Sequence, residues 1–128
     1  MRDTQTSHFW VGYFPTMQRV AEYFAEVYGE DREDTPLSQF ARDQEVEFYD
    51  HDFIEYGFSE EATTVEGLFA GYSYHEQWAA ELARRVADVG LTGVNMFVFI
   101  NQEEIEKPKS VEGDGCWLRY LGTIRYRI

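Results

Sequence analysis

Six of the seven residues at positions 94–100 are apolar, and only Asn95 interrupts the sequence VNMFVFI. A strand with one face in water would alternate apolar and polar side chains, whereas a strand buried on both faces does not. The run is also far too short for a membrane-spanning helix. It therefore predicts a central strand in a sheet that is covered on both faces.

Three other segments have the composition of strands. Residues 8–14 are aromatic and β-branched, and they end at Pro15. Residues 53–58 place Ile54, Tyr56 and Phe58 on one face and Glu55 on the other. Residues 116–128 alternate over one long strand. We expect the side chains of Leu118, Tyr120, Ile124, Tyr126 and Ile128 to face the core, and those of Trp117, Arg119, Thr123, Arg125 and Arg127 to face away.

Two helices are predicted between the first two strands. Apolar residues recur at helical spacing in residues 17–28, where Thr16 can cap the start and Gly29 ends the pattern. Thr35 and Pro36 then offer a cap and a first helical residue. The second helix would present an apolar face made of Leu37, Phe40 and Ala41.

A third helix has the clearest pattern in the chain. Residues 73–76 have the form of a capping box, and Gly90 closes the helix. Its apolar stripe consists of Tyr74, Trp78, Leu82, Val86 and Val89. We expect Trp78 and Leu82 to be buried against the strand at residues 94–100.

Together these segments give the order β-α-α-β-α-β-β in a chain of 128 residues, which is one domain spanning residues 1–128. This order predicts an α+β fold with a mixed sheet and helices mainly on one face. The N-terminus has no basic and apolar leader, and no apolar stretch approaches 18 residues, so a cytoplasmic protein is expected.

Net charge is concentrated in one part of the chain. Fifteen of the 24 acidic residues and two of the eleven basic residues lie at positions 22–66, so this segment has the same net charge, −13, as the whole chain. A negative field of this kind repels nucleic acid and anionic membranes, and it attracts a basic protein.

The segment YDHDFIE at residues 49–55 is the densest group of ionisable side chains. Asp50 and Asp52 would project to the same side of an extended chain, near Glu55, where they could bind a divalent cation. No second ligand motif accompanies them. A protein-contact surface and a purely structural turn are therefore kept as alternatives to a metal-dependent enzyme.

Other reactive residue types show no catalytic arrangement. His8 and His75 are expected to be packed or solvated, and Cys116 is expected to be a semi-buried strand cysteine that forms no disulfide. No nucleophile motif or phosphate-binding loop occurs, so neither a catalytic residue nor a cofactor is predicted. The predicted basic face of Trp117, Arg119, Arg125 and Arg127 is interpreted as an exposed strand face.

Several short motifs resemble the immunity protein 22 family in their order along the chain. They are FWVGYF near the start, SQFARD at residues 38–43, YDHDFIE at residues 49–55, GYSYHEQW at residues 71–78, the Val94-Asn95 strand and the closing LGTIRY. The resemblance implies a bacterial immunity protein that binds a cognate toxin domain and catalyses no reaction. The family pattern Asp-x-Asp-Phe-x-Glu matches Asp50, Asp52, Phe53 and Glu55.

The resemblance and the acidic segment together predict a basic toxin, and a nuclease is one hypothesis because carboxylates can imitate phosphate. Two alternatives remain, a small structural or adaptor domain and a metal-dependent enzyme that uses Asp50, Asp52 and Glu55. The acidic residues predicted to contact the partner are Glu30, Asp31, Glu33, Asp34, Asp43, Asp50, Asp52 and Glu55.

Overall fold

The computed structural model describes residues 4–25, 38–46, 54–60, 64–113 and 115–127. The strands are β1 (Thr4–Tyr13), β2 (Ile54–Phe58), β3 (Met96–Asn101), β4 (Val111–Gly113) and β5 (Cys116–Arg127). The helices are α1 (Met17–Phe24), α2 (Gln39–Asp43), α3 (Val65–Phe69) and α4 (His75–Val89), with a 3-10 turn at Gln102–Glu104. The predicted α+β class is confirmed, while α3 and β4 are additional to the prediction.

The five strands form one sheet in the order β2-β3-β1-β5-β4, and every neighbouring pair is antiparallel. The prediction of a mixed sheet is therefore wrong. A single helix between β2 and β3 would have favoured a parallel pair, but two helices, α3 and α4, connect these strands. The chain leaves β2 at Phe58 and returns directly beside it at Met96, so the two strands run in opposite directions.

Helices cover both faces of the sheet, so the prediction that they lie mainly on one face is wrong. Helices α1 and α2 cover one side, the α1–α2 face, where Trp10 and Phe40 pack in the core. Helices α3 and α4 cover the other side, the α3–α4 face, where Phe9 and Trp78 pack. Strand β3 requires this arrangement because its side chains alternate between two dry faces. Met96, Val98 and Ile100 enter the first core, and Phe97 and Phe99 enter the second.

The first helix is shorter than predicted, and the described part of the second is Gln39–Asp43. Thr16 caps α1 as expected, because its hydroxyl accepts a 3.1 Å hydrogen bond from the Arg19 amide, but the helix ends at Phe24. Ser38 caps α2 through a 3.1 Å bond from the Ala41 amide, whereas the predicted cap, Thr35, lies outside the described residues. The predicted helical residues 26–28, Gly29 and residues 35–37 lie outside the described residues.

Helix α4 begins at His75, after Tyr74 adopts a left-handed conformation with φ of 59° and makes no side-chain cap hydrogen bond. The predicted capping box is therefore wrong. The main chain of Ser73 is engaged elsewhere, since its amide donates to Glu55 and its carbonyl accepts from the indole of Trp78, both at 2.8 Å. Gly90 ends the helix as predicted.

A β-bulge divides β5 into two halves. The β1–β5 register pairs His8 with Thr123 and Trp10 with Tyr120, so two residues of β5 lie opposite Phe9. One of them, Gly122, has φ of 93°, a conformation that glycine adopts without a steric penalty. The guanidinium of Arg85 on α4 donates 2.9 Å hydrogen bonds to the carbonyls on either side, those of Leu121 and Thr123.

The bulge reverses the alternation of side chains along β5. Leu118 and Tyr120 pack on the α1–α2 face, whereas Ile124 and Tyr126 pack on the α3–α4 face. The prediction that these four residues share one face is wrong, because one extra residue in a strand moves every later side chain to the opposite face.

His8 is buried on the α1–α2 face, where both of its ring nitrogens are hydrogen-bonded. Nε2 lies 2.8 Å from the carbonyl oxygen of Ile105, which can only accept, so Nε2 carries the hydrogen. Nδ1 therefore accepts from the hydroxyl of Tyr120, also at 2.8 Å. Burial lowers the pKa of His8 below its ordinary value of 6.5, although the carbonyls of Ile105 and Gln102 partly oppose this shift. The arrangement stabilises a neutral imidazole.

We predict that His8 makes the free energy of unfolding fall in mild acid. The unfolded chain takes up the proton at the ordinary pKa of 6.5, above the lowered pKa of the folded state. Stability is therefore complete above pH 6.5 and declines as the pH falls below it. Urea unfolding between pH 8 and pH 5.5 should show a smaller decline for H8Q than for the wild type. H75Q, which removes a half-buried histidine from the start of α4, is the control and should decline like the wild type. An equal decline in H8Q would contradict the assignment.

Candidate functional site: a cleft beside Asp43

The structure describes two of the eight acidic residues predicted to contact a partner, Asp43 and Glu55. Asp43 is on α2, which covers the α1–α2 face. Glu55 projects to the other side of the sheet, because its neighbours Ile54 and Tyr56 pack on the α1–α2 face. The two carboxylates therefore do not form one local patch. The other six predicted residues lie outside the described part of the chain: Glu30, Asp31, Glu33, Asp34, Asp50 and Asp52.

Glu55 has a structural partner within the chain. Its Oε2 atom accepts a 2.8 Å hydrogen bond from the amide of Ser73, in the turn before α4. This bond connects β2 to that turn and occupies part of the acceptor capacity of the carboxylate. Glu55 therefore stabilises the turn that leads into α4 on the α3–α4 face.

Asp43 lies in a cleft of about 240 Å³ between α1, α2 and the β4–β5 hairpin. The apolar base of the cleft includes Phe14 and Leu118, both buried in the core of the α1–α2 face. Polar groups from three different elements line its walls. They are Arg19 and Tyr23 from α1, Gln39 and Asp43 from α2, and Glu112 from β4.

Two neutral donors hold the carboxylate of Asp43. The hydroxyl of Tyr23 donates to Oδ2 at 2.7 Å, and the amide of Gln39 donates to Oδ1 at 2.8 Å. The ring of Tyr23 is itself fixed, because it packs edge-on against Phe14 and Phe24 with centroid distances of 5.3 and 5.1 Å. The core of the α1–α2 face thus determines where the carboxylate of Asp43 points.

The electrostatics of the cleft keep Tyr23 the donor and Asp43 the acceptor of the hydrogen bond between them. Burial raises the pKa of Tyr23, and both the hydrogen bond to Asp43 and its negative charge raise it further. Tyr23 therefore stays protonated and remains a donor. Arg19 is the nearby cation, and it partly opposes this shift. Among the described residues, no ion pair joins Arg19, Asp43 or Glu112 to another side chain.

Sequence reasoning found Asp43 but not its partners. Gln39 precedes Asp43 by four residues on one helix, a spacing that brings side chains together and could have indicated the pair. Tyr23 had no such signal, because it comes from a different helix, twenty residues away. Arg19 and Glu112 reach the cleft only through the packing of α1 and the hairpin.

The basic face predicted on β5 is divided by the bulge. Arg119 lies opposite Val11 on the α3–α4 face, whereas Arg125 and Arg127 lie opposite Thr6 and Thr4 on the other face. The prediction of a single basic face is therefore wrong. Both sets of arginines are exposed, and Arg125 donates a 3.2 Å hydrogen bond to Thr4.

The remaining candidate residues have structural surroundings. Cys116 is buried, as expected of a strand cysteine, and its thiol donates to the carbonyl of Gly113 at 3.1 Å. His75 lies 3.3 Å from Glu76 in the first turn of α4. In the part of the chain that the structure describes, no three His, Cys, Asp or Glu side chains are placed to hold a metal ion. Asp50 and Asp52 lie outside that part.

The fold and the cleft define a small α+β protein with a hydrogen-bonded carboxylate, that of Asp43, in a surface cleft. No helix among the described residues is long and apolar enough to cross a membrane. Residues 8–127 match the immunity protein 22 family, so the chain belongs to this family. Comparisons with curated proteins and with solved structures gave no significant match.

Proposed function

We propose that this protein binds the toxic domain of a cognate bacterial effector in the cytoplasm and blocks it by occupying its surface. The observation that carries this proposal is the family match, which spans residues 8–127 and so includes every strand and helix around the cleft except the first residues of β1. Neutralisation by binding requires no chemical step from the immunity protein.

The charge distribution supports a basic toxin. The segment at residues 22–66 has a net charge of −13, and it includes α2 with Asp43 and β2 with Glu55. Long-range attraction does not require these carboxylates to form one patch, because the field of the segment extends over several ångströms at physiological ionic strength. Such a field mainly accelerates association. A nuclease is the class of toxin we favour, since nucleases bind polyanions through basic clefts.

We predict that this protein restores growth to bacteria that express the toxin encoded by the neighbouring gene. The toxic C-terminal domain would be placed under an inducible promoter, alone or with the immunity protein. Growth should stop in the first strain and continue in the second. An immunity protein from an unrelated family is the matched control, and it should give no protection. Equal killing in both strains, with the immunity protein present in soluble form, would contradict the proposal.

A purified preparation separates binding from enzymatic activity. The protein alone should cleave neither RNA nor DNA, with or without added divalent metal, while it should stop cleavage by a nuclease toxin at a one-to-one ratio. If the protein itself cleaved nucleic acid, and D50A and D52A abolished this turnover without unfolding, the alternative of a metal-dependent enzyme would replace the proposal.

A further inference from the structure

We propose that the cleft beside Asp43 receives an arginine side chain of the toxin, whose guanidinium binds the Asp43 carboxylate. This inference rests on the proposed function and specifies the contact that holds the complex together. It is carried by the geometry of the carboxylate, the size of the cleft and the charges that line it.

The carboxylate of Asp43 is oriented but not saturated. An ionised carboxylate offers about four acceptor positions, and Tyr23 and Gln39 occupy one on each oxygen. Among the residues that the structure describes, these are the two donors to Asp43, so one position remains on each oxygen. A guanidinium presents two parallel N–H groups that fit two carboxylate oxygens, which an ammonium cannot do. Both internal donors are neutral, so they leave the negative charge of Asp43 available to a cation.

The dimensions of the cleft fit one side chain. Its volume of about 240 Å³ is below the ~300–1,000 Å³ typical of pockets that bind cofactors or drug-sized ligands. A single extended arginine needs less room, and the buried Phe14 and Leu118 can pack against its methylene groups. Anchor residues of this kind in small pockets commonly dominate the energy of a protein interface.

The charges in the cleft make the inference testable. Asp43 and Glu112 attract a cation, whereas Arg19 repels it. An incoming carboxylate would respond in the opposite way, because it would bind Arg19 and be repelled by Asp43. The strong negative charge of the whole chain favours the cation. Neutralising Asp43 and neutralising Arg19 should therefore have opposite effects on affinity.

The main experiment compares D43N with D88N in binding to the inactivated C-terminal domain of the neighbouring toxin. Each variant removes one negative charge from a helix, at the half-buried Asp43 or at the exposed Asp88. Asp88 lies on α4, away from the cleft, and its carboxylate accepts a 2.7 Å hydrogen bond from Arg84. Calorimetry should show that D43N weakens binding roughly 30-fold or more, as expected for an unpaired interfacial charge, and that D88N stays within about threefold of the wild type. Equal affinities for D43N and the wild type would overturn the inference.

The variant R19Q identifies whether the group that enters the cleft is positively or negatively charged. Its affinity should exceed that of the wild type, because it removes a like charge from the arginine site. A loss in R19Q as large as that expected for D43N would overturn the inference and assign the cleft to a toxin carboxylate. Urea unfolding of each free variant checks that the fold is retained.

A second pair of variants keeps the test independent of any effect of D43N on folding. Glu112 and Glu106 are both exposed, and only Glu112 lines the cleft. E112K should weaken binding at least tenfold by placing an ammonium at the cleft, while E106K, with the same change in net charge, should have a much smaller effect. Equal effects of E112K and E106K would count against the cleft.

Replacing each exposed arginine of the toxin domain by alanine then identifies the partner of Asp43. One replacement should weaken binding to the wild type and cause almost no further loss with D43N. If no arginine showed this coupling, the cleft inference would fail while the immunity function remained. If the wild-type protein neither bound the toxin nor protected cells from it, both proposals would fail.

Discussion

Replacing Leu82 with alanine is expected to lower the free energy of unfolding by ~2–5 kcal/mol. Leu82 is fully buried in the core of the α3–α4 face, together with Trp78, Phe97 and Phe99. The prediction that Trp78 and Leu82 pack against the central strand is confirmed, since the ring of Trp78 lies 5.5 Å from that of Phe97. The large rings around Leu82 cannot collapse easily into the space it would leave, so a residual cavity adds to the loss of burial.

Val89 provides the control for Leu82 on the same helix. It is 43% exposed, near the C-terminal end of α4, so V89A should change the free energy of unfolding by less than about 0.5 kcal/mol. Urea unfolding at one pH compares the two variants with the wild type. A loss below about 0.5 kcal/mol for L82A would show that Leu82 is not packed in the core of the α3–α4 face.

Replacing Gly12 with alanine is expected to destabilise the sheet by about 3 kcal/mol, the upper part of the range for overpacking. An added Cβ would lie well inside van der Waals contact of the carbonyl oxygen of Trp117 and 2.9 Å from Cδ2 of Leu118. The carbonyl belongs to the backbone of β5, which pairs with β1 along most of its length. Relief would require the two strands to separate locally, because no side-chain rotation can move a backbone oxygen.

Gly113 provides the matched control for Gly12. A Cβ there would meet nothing within 4 Å, and the residue has no left-handed conformation to preserve. G113A should therefore be neutral or stabilise the protein by ~0.4–1 kcal/mol, because alanine restricts the unfolded chain. Thermal unfolding of both variants tests the pair. Similar melting temperatures for G12A and G113A would show that β1 and β5 are not in such close contact at Gly12.

Much of the local structure could be predicted because its signals lie within single segments. The apolar sequence at residues 94–100 indicated a strand buried on both faces, and the alternation around Ile54 indicated β2. The cap at Thr16 and the end of α4 at Gly90 follow from side-chain and backbone chemistry that involves only near neighbours.

The candidate site was only partly predictable. Asp43 was among the predicted contact residues, but its neighbours in the sequence do not reveal the cleft. The Tyr23 hydroxyl reaches Asp43 because α1 and α2 pack side by side, and Glu112 lies on β4, a strand that was not predicted. These groups come from three separate elements, so their meeting depends on how the elements pack.

The sequence alone specified the elements whose signals are local: periodicity, caps, and a central strand that needs cover on two sides. Packing between distant segments specified the rest. Arg85 on α4 holds the bulge at Gly122 across more than thirty residues, and that bulge sends Tyr126 and Arg125 to the faces opposite those expected from simple alternation. A strand pattern records which residues alternate but not where an extra residue is inserted. The insertion is stabilised by a hydrogen-bond donor from another part of the chain, and its position emerges only when the two segments meet.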